Sequence, residues 1–184
     1  ESYHGIVYAT QFGKGGAYIT KATVQLMRDL GSIQSPQNSF LVNLGLESLH
    51  VRMREHSKNG LAVAEFLAKH EKVQKVNYPG LKTDTYHSLA EKYMPNGCSG
   101  VVSFEIKGGR EAAEKFMTSL KLIAIETHVA DAKSCCLCPS ITTHRQLSDE
   151  QLVEAGVSAG LVRVSLGIED VEDLLEDIKQ ALEA

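Results

Sequence analysis

No apolar run in these 184 residues approaches the roughly 20 that a bilayer span requires, so the pattern excludes a membrane-spanning helix. Positive charge is not in excess either. Lys and Arg number 19 against 23 Asp and Glu, a formal net charge of −4. Nucleic acid or an anionic membrane would need a basic patch, and neither is expected as a partner. Cysteine is sparse and crowded: Cys98, then Cys135, Cys136 and Cys138. A secreted disulfide framework spaces its cysteines and pairs them across the fold, so a reduced, cytoplasmic setting is expected. Joined with His144, the cluster matches no common zinc spacing, and the adjacent Cys135 and Cys136 would point apart in an extended segment, so no metal ligand is expected. Glu1–Gly5 has neither the basic start nor the apolar stretch of a secretory signal. Without an initiator Met, the chain is expected to be processed or part of something longer. A Gly-x-Ser-x-Gly elbow is missing, which leaves a serine triad without support. So are Gly-x-Gly-x-x-Gly and the phosphate loop, which leaves nucleotide binding without support. There is no internal repeat and no low-complexity segment.

What is present suits a globular chain: 43% hydrophobic and 23% charged residues, enough for one ordinary domain and a short extension. Residues 1–16 are rich in Gly and aromatics, with a strand-like run at Ile6-Val7-Tyr8. Ala17 to Leu30 reads as a helix closed by Gly31. Ser35-Pro36 pairs an N-cap with a first-turn proline and opens a helical pattern reaching about Lys69, with a bend or break expected at Gly45 or Gly60. Beyond it the chain alternates: a strand at Val73–Tyr78, a helix at Tyr86–Tyr93, a strand at Val101–Ile106, a helix at Arg110–Leu120 and a short buried strand at Leu122–Ile125. A long polar stretch, Thr127–Leu147, reads as a loop, and loops of this length are often functional. Ser148-Asp149-Glu150-Gln151 is a capping box, Leu161–Leu166 the last strand, and Val171 to Leu182 an amphipathic helix. The expected architecture is an α+β two-layer sandwich, with helices on one face of a small, mostly antiparallel sheet. Residues 1–34 read as the tail of an upstream domain, and residues 35–184 as a further domain entered through a long connecting helix.

Arg163 is the residue that chemistry singles out. Alternation in Leu161–Leu166 turns Val162, Val164 and Leu166 one way and Arg163 and Ser165 the other. Arg163 is then either a solvated strand residue or a planar fork that grips a carboxylate with two parallel hydrogen bonds. His128, Asp131 and His144 lie in the preceding loop, where hydrogen bonding within the loop is the plainer reading than a general-base pair.

Several stretches together carry a resemblance. They are Ser2-Tyr3-His4-Gly5-Ile6-Val7-Tyr8, Tyr18-Ile19-Thr20-Lys21, Leu26 to Gly31, Asn43 to Leu49, Val76-Asn77-Tyr78-Pro79-Gly80-Leu81, Thr143-His144, and Gly160 to Asp170. In order and spacing they resemble the C-terminal part of the Cys/Met-metabolism group of fold-type I pyridoxal-phosphate enzymes, in its O-acetylhomoserine sulfhydrylase branch. The resemblance implies that Arg163 binds the α-carboxylate of an amino-acid substrate, with His128 beside that pocket and Asp131–Ser134 in the substrate-side loop. It implies γ-replacement of acetate by sulfide or a thiol in homocysteine and methionine synthesis, with pyridoxal phosphate as the electron sink. It also implies an upstream pyridoxal-phosphate domain and a homo-oligomeric parent.

The Schiff-base lysine and the cofactor's other contacts lie upstream of Glu1 in that group. The chain alone is therefore expected to hold no catalytic residue and no bound cofactor. Two departures stand out: His128-Val129-Ala130-Asp131-Ala132 where the group usually has Asn or Ser ahead of Gly-Asp-Ala, and Cys138-Pro139 where it usually has His-Pro. Methionine γ-lyase and cystathionine synthase are the alternatives within the group. A stand-alone amino-acid-sensing α+β module is the alternative outside it.

Overall fold

The computed structural model describes residues 3–184; Glu1 and Ser2, which open the first of the matching stretches, lie outside it. The chain divides into two compact units, Glu1–Glu47 and Ser48–Ala184, where sequence placed the division at 34/35. The reason is local. The helix opened by Ser35 and Pro36 ends at Glu47, and Ser48, at φ −103° and ψ 2°, leaves helical geometry before the next helix starts. The break falls at neither Gly45 nor Gly60. Gly60 answers a different need, since a Cβ there would lie 2.5 Å from the Ser99 carbonyl oxygen.

The first unit is helical: α1 (Tyr8–Gln11), α2 (Gly13–Thr20), a π-helical stretch Lys21–Met27, α3 (Arg28–Leu30) and α4 (Pro36–Glu47). The strand expected at Ile6-Val7-Tyr8 does not form, because Tyr8 starts a helical turn and its hydroxyl donates to Gln25 Oε1 at 3.0 Å. Gly31 ends α3 in the left-handed region, as expected.

The second unit runs α5 (Leu49–Leu67), β1 (Val73–Asn77), α6 (His87–Tyr93), β2 (Val101–Ile106), α7 (Gly109–Ser119), β3 (Ala124–Ile125), β4 (Cys135–Leu137), α8 (Asp149–Glu154), β5 (Leu161–Ser165) and α9 (Val171–Glu183). The five strands form one sheet in the order β1-β2-β5-β4-β3, antiparallel except for the β3–β4 pair. Two details depart from expectation. β3 is exposed rather than buried. The Thr127–Leu147 stretch is not all loop, because Cys135-Cys136-Leu137 is apolar enough to enter the sheet as a fully buried strand beside β5.

Alternation builds the core. Val102, Phe104 and Ile106 of β2 and Val162 and Val164 of β5 are buried on one sheet face, beneath α5, α7 and α9. Phe104 and Phe116 meet edge to face at 5.6 Å, a favoured aromatic arrangement. The opposite face carries Asn77, Ser103, Glu105, Arg163 and Ser165 and, among the described residues, is not the face that α5, α7 and α9 cover. The α+β two-layer sandwich is therefore the observed architecture. Among the described residues no helix is long and apolar enough to cross a membrane.

One buried carboxylate ties the last helix to the sheet. Asp177 of α9, 5% exposed, accepts from the backbone N–H groups of Lys121, Leu122 and Ile123 at 2.8, 3.0 and 2.9 Å. Buried donors stripped of a charged acceptor are costly. Asp177→Ala is therefore expected to destabilise the fold by about 3 kcal/mol, read from the urea midpoint at constant m-value. A loss under about 1 kcal/mol would show that those N–H groups reach water instead.

Candidate functional site

The site is built where the centre of the sheet meets the loop that precedes β4. β5 is the middle strand, and its register sets Arg163 opposite Ser103 of β2 and Leu137 of β4. With Val162 and Val164 committed to the core, period-2 alternation forces the guanidinium to the opposite face. There it is half-buried. One Nη2 N–H donates to the Thr127 carbonyl at 3.0 Å, and the buried Nε–H has no partner. An arginine offers five N–H donors in a rigid fork, of which the Thr127 bond takes one, and an unpartnered buried donor is costly.

Residues 126–134 arch over this face. Ala130 N–H donates to Ser165 Oγ at 2.9 Å, and Cys135 Sγ–H donates to the His128 carbonyl at 3.2 Å. The loop backbone thus approaches the arginine closely. His128 enters through its main chain. Its imidazole is exposed and makes no hydrogen bond among the described residues. Asp131 caps its own loop by accepting from Lys133 N–H at 3.0 Å, and His144 stays within a turn, its Nδ1 2.9 Å from Thr143 Oγ1. Neither makes a hydrogen bond to the arginine.

The residues that hold the loop in place were not singled out from the sequence. Ser134, 1% exposed, donates its N–H to Glu169 Oε1 at 2.6 Å and its hydroxyl to Glu169 Oε2 at 2.8 Å, and its Oγ accepts from Gly167 N–H at 2.7 Å. Gly167 is required by close approach, because a Cβ there would overlap the Ala132 carbonyl and the Glu169 carboxylate. From α5, Asn59 Nδ2 donates to the carbonyls of Gly167 and Glu169 at 3.0 and 2.9 Å, and His56 Nδ1 lies 2.5 Å from the Leu166 carbonyl. No spacing rule links α5 to a turn more than 100 residues later. The available signals were Ser134, at the end of the Asp131–Ser134 loop, and Gly167 and Glu169, within the Gly160–Asp170 match.

Burial and charge act together on the thiols. All four cysteines are free. Burial pushes the Cys135 thiol up, partly offset by the neighbouring Arg163 charge. Burial, then the nearby Cys135, Asp177 and Cys138, push the Cys136 thiol up to about 12. These are packed, protonated thiols rather than nucleophiles. Cys138 lies 3.2 Å from Ser140 Oγ and packs against the Ala159 carbonyl. Among the described residues no group of three His, Cys, Asp or Glu is placed to hold a metal ion.

Comparison with known proteins gives a consistent picture. A family model described as Cys/Met metabolism PLP-dependent enzyme matches residues 4–183. An O-acetyl-L-homoserine sulfhydrylase from Leptospira meyeri is 47% identical over 98% of this chain and 43% of its own length. A homocysteine synthase from Schizosaccharomyces pombe is 44% identical over 98% of this chain and 42% of its own. Human cystathionine gamma-lyase is 43% identical over 86% of this chain and 39% of its own. A crystal structure from Campylobacter jejuni, described as an O-acetylhomoserine (thiol)-lyase with a pyridoxyl-lysine phosphate, superposes with a TM-score of 0.85 at 39% identity. It is covered over 43% of its length and covers all of this chain. The chain thus spans less than half the length of the relatives it matches.

Two outcomes follow from the loop and the thiols. Ala130 holds φ +61°, a conformation that costs an L-residue about 1–2 kcal/mol. After the entropy that glycine loses on folding, Ala130→Gly should stabilise the fold by about 0.5–1 kcal/mol; a lower urea midpoint would contradict the strain. For Cys136 the folded state holds the proton more tightly than the unfolded chain, whose thiol titrates near ~8.5. Its contribution is fully present below that value and lost as pH rises toward about 12. Urea midpoints should fall progressively above about pH 9, and Cys136→Ala should flatten the fall; parallel curves would refute the assignment to this thiol.

Proposed function

The chain belongs to the Cys/Met-metabolism family of pyridoxal-phosphate-dependent enzymes, and from that membership we propose that residues 48–184 form the substrate side of a transsulfuration enzyme. The reaction proposed for the whole protein is that of the O-acetylhomoserine sulfhydrylases, replacement of the acetate of O-acetylhomoserine by sulfide or a thiol. The observation that carries the reading is Arg163: half-buried, on the central strand, under a loop, with a buried Nε–H that has no partner. A substrate α-carboxylate is the anion whose planar geometry matches that fork. Gripping it fixes the orientation of the α-amine, and orientation supplies much of the rate in such reactions. In the same proposal His128, exposed on the overlying loop, contacts the substrate from the solvent side.

On this reading the residues of this chain bind the substrate's acid end, and none of Lys14, Lys21, Lys58, Lys72 and Lys107 takes the cofactor. Lys14 is exposed, and the Lys21 ammonium sits 5.6 Å over the Tyr8 ring. Lys72 and Lys107 donate to main-chain carbonyls, and Lys58 pairs with Glu55. The proposal therefore includes an upstream domain that supplies the lysine and the phosphate seat. It also includes homo-oligomeric assembly and a cytoplasmic setting. Exposed Phe40, Leu41 and Leu44 on α4 are apolar surface of the kind that further protein covers, and four free thiols suit a reducing compartment.

The test uses the full-length protein that carries this chain. A charge-assisted hydrogen bond contributes about 1.5–3 kcal/mol, so Arg163→Ala should raise KM for O-acetylhomoserine about 10- to 100-fold while leaving KM for sulfide unchanged. An unaltered KM for the amino acid would overturn the carboxylate role. Comparing turnover of O-acetylhomoserine plus sulfide with that of methionine and of cystathionine decides the branch; preference for either of the latter would place the protein with the γ-lyases or the cystathionine synthases.

A further inference from the structure

We infer that Glu169 is a positioning residue for the carboxylate site, acting through Ser134 on the loop that covers Arg163; the inference rests on the reading of Arg163 as a carboxylate clamp. Both oxygens of Glu169 are committed to one residue, Oε1 to the Ser134 N–H at 2.6 Å and Oε2 to its hydroxyl at 2.8 Å. The same hydroxyl oxygen accepts from Gly167 N–H at 2.7 Å, and Ile168 N–H donates to the Ala132 carbonyl at 3.0 Å. Residues 132–134 are thereby locked to the turn that follows β5. That turn is itself held from α5 by His56 and Asn59.

The other end leaves β3, where Glu126 N–H still donates to the Cys136 carbonyl at 3.1 Å. Between the two ends, residues 127–131 are exposed, and their hold on the sheet near the guanidinium is the Thr127 carbonyl on Arg163, the Ala130 N–H on Ser165 and the His128 carbonyl on Cys135. Ordering each loop residue costs on the order of 1 kcal/mol, so the exposed stretch keeps one conformation because both its ends are held, one by β3 and the other by the Glu169 pin. With the pin in place, Thr127 holds one edge of the guanidinium and aims the rest at the incoming carboxylate. A glutamine at 169 offers one acceptor where Ser134 presents two donors, so one of the paired bonds is lost. The pin acts at a distance, through the loop backbone, and touches neither substrate nor the reacting atoms.

The experiment is steady-state kinetics on the full-length holoenzyme at saturating sulfide, with O-acetylhomoserine varied. Glu169→Gln should raise KM for the amino acid about 5- to 10-fold with kcat within about twofold, and Glu169→Asp should restore part of the loss. In an Arg163→Ala background the same Glu169→Gln change should add less than about twofold, because the two groups serve one step. Full additivity would overturn the inference, as would an unchanged KM in Glu169→Gln when Arg163→Ala alone raises it; in both cases the carboxylate reading survives. An unchanged KM in Arg163→Ala removes that reading and the inference with it. Should Glu169→Gln not fold, Ser134→Ala takes its place in the same cycle, with the same KM increase expected and the same additivity against it.

Discussion

The strictly alternating strand β5 is the constraint from which the rest of the second unit follows. Its valines must lie under the three covering helices, because burying each one removes apolar surface from water and contributes on the order of 1.5 kcal/mol or more. Once Val162 and Val164 are buried, Arg163 and Ser165 have nowhere to point except the opposite face. A slip of one residue in register would bury a guanidinium among aliphatic side chains, at the cost of desolvating a charge. The sandwich and the position of the guanidinium are thus two consequences of a single packing requirement.

A guanidinium on a polar sheet face becomes a site only when something shapes the space in front of it. Here that is the segment from Glu126 to Ser134, which leaves β3, arches past Arg163 and returns as β4 beside β5. Its buried end is fastened by charge-assisted hydrogen bonds to Glu169, and such bonds are shorter and stronger than neutral ones. Its exposed end includes Ala130 in a left-handed conformation that glycine would adopt without strain. Family membership places this arrangement in pyridoxal-phosphate chemistry. The geometry gives this chain a half-buried guanidinium under a pinned loop.

Most of the elements could be read from the chain. The helices at α5, α7 and α9 and the strands at β1, β2 and β5 carry clear apolar periodicity, and Ser148 and Gln151 form the expected capping box. The misreadings share one cause. Ile6-Val7-Tyr8 is too short for its β-propensity to outweigh the helical turn that Tyr8 enters, since β-propensity depends on neighbours to pair with. Cys135-Cys136-Leu137 has only three residues, too few to display a period, and became a strand because a vacant edge of β5 accepted it. Gly45 and Gly60 look like helix breakers in isolation. The break comes instead at Ser48, and Gly60 is kept small by the Ser99 carbonyl that packs on it.

The sequence alone determined the class of fold, the strand that carries Arg163 and the face on which that residue stands, because hydrophobic periodicity is a local property and burial follows it directly. It also carried enough of the family's pattern to point to the family. Only the tertiary structure decided what surrounds the guanidinium: that Thr127 meets it by a carbonyl, that the imidazole of His128 stays in solvent, and that Glu169 and Ser134 fasten the covering loop. Those contacts join residues 35 or more positions apart, and Asn59 reaches across 108 to the turn they share. No local rule relates such positions. Their pairing is settled by sheet order and helix packing, which exist only once the whole unit has folded.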